Sequence, residues 1–293
     1  MTEERQQMKI DALSRRGVLG MLLLSSVRAQ NKEALFSDAE AYERFMGRWS
    51  RRLAPLLVDF ADVPDSGQVL DVGSGTGALA FSIAERKVRS QVFGIDPSKE
   101  YVEYAKSKSP FPDRTTFQVG DAQQLSFPDA AFQACASLLV FNFIPDSRKA
   151  LRELRRVTKP GGRISAAVWD YGAGMRMLRV FWDAAASLDP KAEKLDEKRM
   201  PLCRAGELAQ LWKQGGLKNV HEAPLDFTMR FDSFSDYWDP FLLGQGPAGA
   251  YARSLDAGGS QALRTELKRR LQIKLEMEPF TLPARAWAVS GVA

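Results

Sequence analysis

Three aspartates, Asp71, Asp96 and Asp121, stand at or near the ends of short apolar runs, in "QVLDVG", "QVFGID" and "TTFQVGD". The first run leads into "GSGTG", in which Gly73, Gly75 and Gly77 alternate with Ser74 and Thr76. Glycines at these positions let the backbone turn tightly and approach a ligand closely. The helix expected just after them offers free N–H groups and a partial positive charge to an anionic group. A carboxylate beside such a loop attracts an ammonium or sulfonium and repels a pyrophosphate. The chemistry implied is the grip of a ligand with a cationic centre, hydroxyls and one anionic end.

The spacing separates two cofactors. A dinucleotide fold carries G-x-G-x-x-G, whose turn receives a pyrophosphate. This chain has G-x-G-x-G, with Asp71 two residues before the first glycine. S-Adenosylmethionine has an ammonium and a sulfonium for the carboxylate and a carboxylate of its own for the helix end. Asp96, followed by Pro97, can accept from both ribose hydroxyls, a feature shared with a nicotinamide dinucleotide. Asp121 can accept from the adenine amino group while the N–H of Ala122 donates to the ring. Each aspartate taken alone also reads as a helix cap, and Asp96-Pro97-Ser98 has the form of a helix start. The expected co-substrate is S-adenosyl-L-methionine, with no metal.

The elements that must hold these residues are legible from periodicity. "QVLDVG", "QVFGID", "TTFQVGD", "FQACASLLV" and "GRISAAVW" are strands. Between them "TGALAFSIAERK", "SKEYVEYAKSK" and "DSRKALRELRRV" place apolar residues on one helical face, the last capped by Asp146 or Ser147 and stopped at Pro160-Gly161-Gly162. Strands alternating with helices predict βαβ units and a parallel sheet, with the three aspartates facing one crevice at the strand ends. One or two helices precede the first strand, interrupted at Gly47 and Pro55. Helices are expected near 174–188, 204–215 and 259–274. "NVHEAPLDFTMRF" and "ARAWAVSGVA" are expected to close the sheet as an antiparallel, hairpin-like pair. The aromatic, glycine- and proline-rich stretch around 232–256 reads as an insertion covering a site. The expected organisation is 1–30 as a leader or extension, 31–66 as N-terminal helices, 67–170 as the cofactor-binding core, and 171–293 as acceptor-side helices, insertion and last strands.

Residues 42–169 resemble the class I S-adenosylmethionine-dependent methyltransferases of the type 11 group, similar to quinone-biosynthesis C-methyltransferases. The matching pieces are "VLDVGSGTG", "GIDPS", "VGDAQQLSFPDAAFQA" and "LRRVTKPGGRI"; "YERFMGRWS" and "CRAGELAQLWKQGGLKNV" also resemble members of the group. The resemblance implies an α/β, Rossmann-like seven-stranded sheet with helices on both faces and the last strand antiparallel. It implies that Asp71 and Gly73 to Gly77 form the cofactor loop, that Asp96 and Pro97 hold the ribose, and that Asp121 and Ala122 hold the adenine. Leu139, at the end of the fourth strand, is grouped with them. The group usually has Asp after Phe where this chain has Phe132-Gln133; that position reads as the base of the strand, with a role in stability.

Methyl transfer needs alignment and exclusion of water, and a general base only where the acceptor must lose a proton. The candidate acceptor-side residues are Asn142 and Tyr171, at the ends of the fourth and fifth strands. His221, the one histidine, is a weak candidate base in the sixth strand. Tyr42, Phe45, Trp49, Tyr237, Trp238 and Phe241 could form a lid, or simply pack in the core. With one histidine and two cysteines, Cys135 and Cys203, His/Cys zinc clusters and hydrolytic triads are disfavoured. No basic run with interleaved aromatics points to nucleic acid, and the aromatic, mostly uncharged residues expected around the site suggest a small, apolar acceptor.

"SRRGVLGMLLLSSVRAQ", residues 14–30, has the parts of a twin-arginine export signal with cleavage near Ala29, yet is too short to span a bilayer. The cofactor is made inside the cell, so a cytoplasmic enzyme is expected. The leader keeps two alternatives in view: export through the twin-arginine route, and a non-catalytic exported binding protein. A nicotinamide-dependent oxidoreductase is a further alternative, disfavoured by Asp71 and the glycine spacing.

Overall fold

The computed structural model describes residues 38–293; the leader expected at 1–30 lies outside the described residues. Ala39–Tyr42 (α1) runs through a π turn, Glu43–Gly47, into Arg48–Phe60 (α2). Gly47 falls in the π turn and Pro55 lies inside α2. The expected interruption is therefore a change of helical winding rather than a break. Leu53, Leu57 and Val58 on α2 are fully buried.

The core alternates as predicted. Ser66–Val72 (β1), Ala78–Arg86 (α3), Arg89–Asp96 (β2), Lys99–Lys108 (α4), Thr115–Val119 (β3), Phe132–Leu138 (β4), Ser147–Val157 (α5) and Thr158–Trp169 (β5) follow in turn. Ser98 caps α4 by accepting from Tyr101 N, and Asp146 caps α5 by accepting from Lys149 N at 2.8 Å. Helix α5 ends at Val157, and β5 already includes Pro160-Gly161-Gly162. There Gly161 takes φ +80° and its N–H reaches the carbonyl of Ala293. The expected helix stop is thus the opening of a strand.

Arg176–Leu188 (α6), Glu207–Gln214 (α7), Lys218–Phe231 (β6), Phe234–Trp238 (α8), Gly246–Ser254 (α9), Ala257–Leu271 (α10) and Phe280–Val292 (β7) complete the fold. The sheet has seven strands in the order β3-β2-β1-β4-β5-β7-β6. Strands β1 to β5 pair in parallel, while β7 is antiparallel to both neighbours. Strands β6 and β7 are the expected antiparallel pair, but α8 to α10 lie in the connection, so they do not form a hairpin. Chain order reverses at β1, between β2 and β4. That reversal opens a crevice beyond the carboxyl ends of these strands.

Candidate active site

The glycine loop is tied to the strand beside it. The N–H groups of Gly73 and Ser74 both donate to the carbonyl of Ile95 at 2.8 Å. Gly73, Gly75 and Gly77 have φ of +72°, +52° and +97°, values that side-chain-bearing residues rarely adopt. A Cβ on Gly73 would also lie 2.5 Å from the Val140 side chain. Loop and β4 end are therefore in direct contact. Leu139 itself takes φ +64° while its N–H donates to Ala167 O at 2.7 Å. A branched residue in that region marks a locally forced backbone, of the kind found at binding sites.

Loop and strand ends enclose a cavity of about 650 Å³. Asp71, Gly73, Ser74, Gly75, Asp96, Pro97, Asp121, Ala122 and Leu139 all line it; Gly77, which opens α3, does not. Asp71 is fully buried, with one oxygen accepting from Ala80 N at 3.0 Å. Its other oxygen and the hydroxyl of Ser74 are buried with no hydrogen-bond partner among the described residues. Burial, countered only in part by the Ala80 N–H, pushes the Asp71 carboxyl up to about 8. Asp96 accepts from Gly75 N and Ser98 N, each at 2.9 Å, and burial pushes it up to about 6. Asp96 is thus both a helix-start residue and a wall of the cavity. Asp121 is exposed at the rim and accepts from Gln123 N at 2.8 Å. Unpartnered polar atoms on Asp71 and Ser74 fit a cationic ligand with a donor group, and they form the same wall as the start of α3.

The acceptor-side candidates lie deeper. Asn142 sits in a short 3-10 turn, Phe141–Phe143, between the cavity residues Val140 and Phe143, but is itself buried and reaches Met200 Sδ at 3.7 Å. Burial pushes the Tyr171 hydroxyl well above its ordinary value, and Asn142 acts against that shift. Neither residue lines the cavity. His221 is on the exposed part of edge strand β6, at the far side of the sheet from the glycine loop, with its ring 4.8 Å from that of Phe60. The structure does not bring it to the cavity.

Of the six lid aromatics, Tyr42 lines the cavity. The others are buried in ring contacts: Phe45 with Phe241, Trp49 with Phe231, Tyr237 with Phe231 and Phe241, and Trp238 with Phe241. The 232–256 insertion touches the site through Gln245, which accepts from the hydroxyl of cavity residue Tyr101 at 3.4 Å. Sequence reasoning also missed Glu197. It accepts from Trp182 Nε1 at 2.7 Å, and burial pushes its carboxyl up to about 7. A lone Glu in "KLDEKRM" carries no periodic signal of burial. Both cysteines are free and buried, and the described residues hold no cluster of three or more His, Cys, Asp or Glu suited to a metal ion. No helix among them is long and apolar enough to cross a membrane.

Sheet order and loop geometry together define a Rossmann-like α/β core of the kind seen in solved methyltransferase structures. Residues 70–166 match the type 11 methyltransferase domain family. It is 34% identical over 120 residues to the ubiquinone/menaquinone biosynthesis C-methyltransferase UbiE of Geotalea uraniireducens, covering 40% of this chain and 49% of the other. It is 28% identical over 178 residues to the malonyl-[acyl-carrier protein] O-methyltransferase of Geobacter sulfurreducens, covering 58% and 66%. The chain spans about half the length of the quinone-methylating relatives it matches. Among solved structures, the YcgJ protein of Bacillus subtilis shares the fold with a TM-score of 0.54 at 20% identity, covering 82% of this chain and 97% of the other.

Proposed function

We propose that this chain binds S-adenosyl-L-methionine in the 650 Å³ cavity and transfers its methyl group to a small, apolar acceptor. The observation that carries the reading is the single cavity wall shared by the glycine loop, Asp71, Asp96 and Asp121. When bound, the co-substrate supplies a methyl group already activated on a sulfonium. The unpartnered oxygen of Asp71 and the Ser74 hydroxyl take its amino-acid end, and the N–H groups at the start of α3 take its carboxylate. Asp96 keeps free lone pairs for the ribose hydroxyls, and Asp121 with Ala122 N–H reads the adenine. The chain's task is then alignment and exclusion of water. Val140 and Phe143 supply apolar wall on the acceptor side, with Asn142 and Tyr171 as the polar groups behind it.

The relatives named for ubiquinone/menaquinone biosynthesis and for demethylmenaquinone make a quinol or phenol the first acceptor to try. Titration calorimetry of the full chain with S-adenosylmethionine and S-adenosylhomocysteine, beside Asp96→Ala and Asp121→Ala, tests the cofactor site. Micromolar binding weakened by each substitution is expected; no binding by the unsubstituted chain overturns the reading. Labelled methyl from the co-substrate, offered with quinols, phenols and fatty acids, should appear in one of these and not in protein or RNA. The proposed site of action is the cytoplasm, where the co-substrate is made. Cell fractionation with N-terminal sequencing checks this, and a chain beginning near Gln30 in the periplasm would refute it.

A further inference from the structure

We infer that Glu43 is a positioning residue that couples the N-terminal helix to the cofactor loop, so that the loop's ligand-binding shape depends on a side chain outside the cavity. The inference rests on the reading of that loop as the S-adenosylmethionine site. Glu43 opens the π turn between α1 and α2, and such turns re-aim a helix's side chains and often stand at functional sites. Its side chain is 13% exposed and ion-paired with Arg51, and it accepts from the hydroxyl of Thr76. Thr76 is buried in the middle of the glycine loop, one residue from Gly75, whose N–H in turn holds Asp96. A charge-assisted hydrogen bond to a buried hydroxyl is among the stronger polar contacts a protein makes. It runs here from the helix through the loop to the carboxylate proposed to hold the ribose.

The backbone makes room for this contact. A Cβ on Gly47 would lie 2.5 to 2.8 Å from the three terminal carboxyl atoms of Glu43, so glycine lets the carboxylate stay on Thr76. The same helical segment is fastened at a second point. Ala39 N–H donates to Glu100 Oε1 at 2.9 Å, and the rings of Tyr42 and Tyr101, both cavity residues, lie 5.4 Å apart. The helix therefore grips the cavity wall at both the loop and the start of α4.

A double-mutant cycle on the full chain tests this, with S-adenosylhomocysteine as the probe and calorimetry as the readout. Thr76→Val and Glu43→Ala should each weaken binding about tenfold, the scale of one lost charge-assisted hydrogen bond. The double variant should bind no worse than either single one, because both remove the same contact. Thr76→Ser, which keeps the hydroxyl, should bind like the parent. Gly47→Ala should weaken binding, with no added loss on the Glu43→Ala background. Unchanged affinity in Thr76→Val and Glu43→Ala, or losses that simply add, would overturn the inference while leaving the cofactor site standing. No binding by the parent chain would remove the cofactor reading and this one with it.

Discussion

The backbone N–H of Gly75 donates to Oδ2 of Asp96 at 2.9 Å. One bond thus joins the middle of the glycine loop to the end of the neighbouring strand. The other Asp96 oxygen is held by Ser98 N–H at the start of α4. Loop, strand end and helix start therefore fix the orientation of this carboxylate together, and each oxygen retains a lone pair for a ligand hydroxyl. Preorganisation of this kind lowers the ordering cost of binding.

The charge state of Asp96 should contribute to the pH dependence of cofactor binding, beside that of Asp71. Its carboxyl is pushed up to about 6 by burial, and the ionised form is the better acceptor for ribose hydroxyls. Affinity for S-adenosylhomocysteine is expected to fall as pH drops through 6, by up to about tenfold per pH unit. Asp96→Asn should bind weakly at pH 7.5 and show a flatter profile. Calorimetry between pH 5 and 8 checks both.

Asp71 makes an opposite demand on the unliganded fold. Its carboxyl is raised from an ordinary value near 3.8 to about 8, so the folded state holds a proton that the unfolded chain releases. Stability is full below about 4 and is lost as pH climbs toward 8, with a limiting slope of ~1.4 kcal/mol per pH unit. Asp71→Asn keeps an oxygen for Ala80 N–H and cannot ionise. Its thermal midpoint should change less between pH 6 and 8 than that of the parent; an identical pH trend in both proteins would refute this.

Gln133 should matter for folding alone. Its Oε1 accepts from Gln68 N at 2.7 Å, linking the starts of β4 and β1 at the end of the sheet away from the cavity. Gln133→Ala is expected to cost about 1 kcal/mol in urea denaturation and to leave S-adenosylhomocysteine affinity unchanged.

Arg179 and Asp196 form a buried ion pair, with side chains 8% and 1% exposed and paired bonds of 3.0 and 2.5 Å. Arg179 also donates to the carbonyl of Tyr171 at 3.3 Å, anchoring the acceptor-side candidate. Asp196→Ala leaves the guanidinium with Asp183, at 3.0 Å, and the Tyr171 carbonyl, and is expected to cost about 2 kcal/mol, whereas replacing both partners with apolar residues of similar volume should cost less. Denaturation midpoints of the two variants, compared directly, test the order.

The parallel core was readable because strand and helix periods alternate cleanly between residues 67 and 169, and turn chemistry marks the joins. Asp71, Asp96 and Asp121 could be brought to one crevice from strand order alone, without any knowledge of side-chain packing. The lid was less readable, because aromatic residues at helical spacing look alike whether they face a ligand or each other. Tyr42 faces the cavity, while Phe45 and Trp49, one helical turn or two further on, pack inward. Glu43 and Thr76 lie 33 residues apart and meet only through tertiary packing and a π turn. Local pattern carries no sign of such a contact. The start of β5 is hidden in the sequence for a related reason. Pro160-Gly161-Gly162 has the chemistry of a helix stop, and its pairing partner lies more than 120 residues downstream.

The insertion of β7 between β5 and β6 has a consequence for biosynthesis. Among the described residues, strand β6 pairs only with β7, which is translated 48 residues later. Until Phe280–Val292 emerges, both β5 and the 14-residue β6 lack the strand that lies between them in the finished sheet. Exposed edges invite pairing with other chains. A message truncated anywhere between these two strands would therefore yield a nearly complete cavity on an aggregation-prone body, making synthesis of β7 the step that closes the sheet.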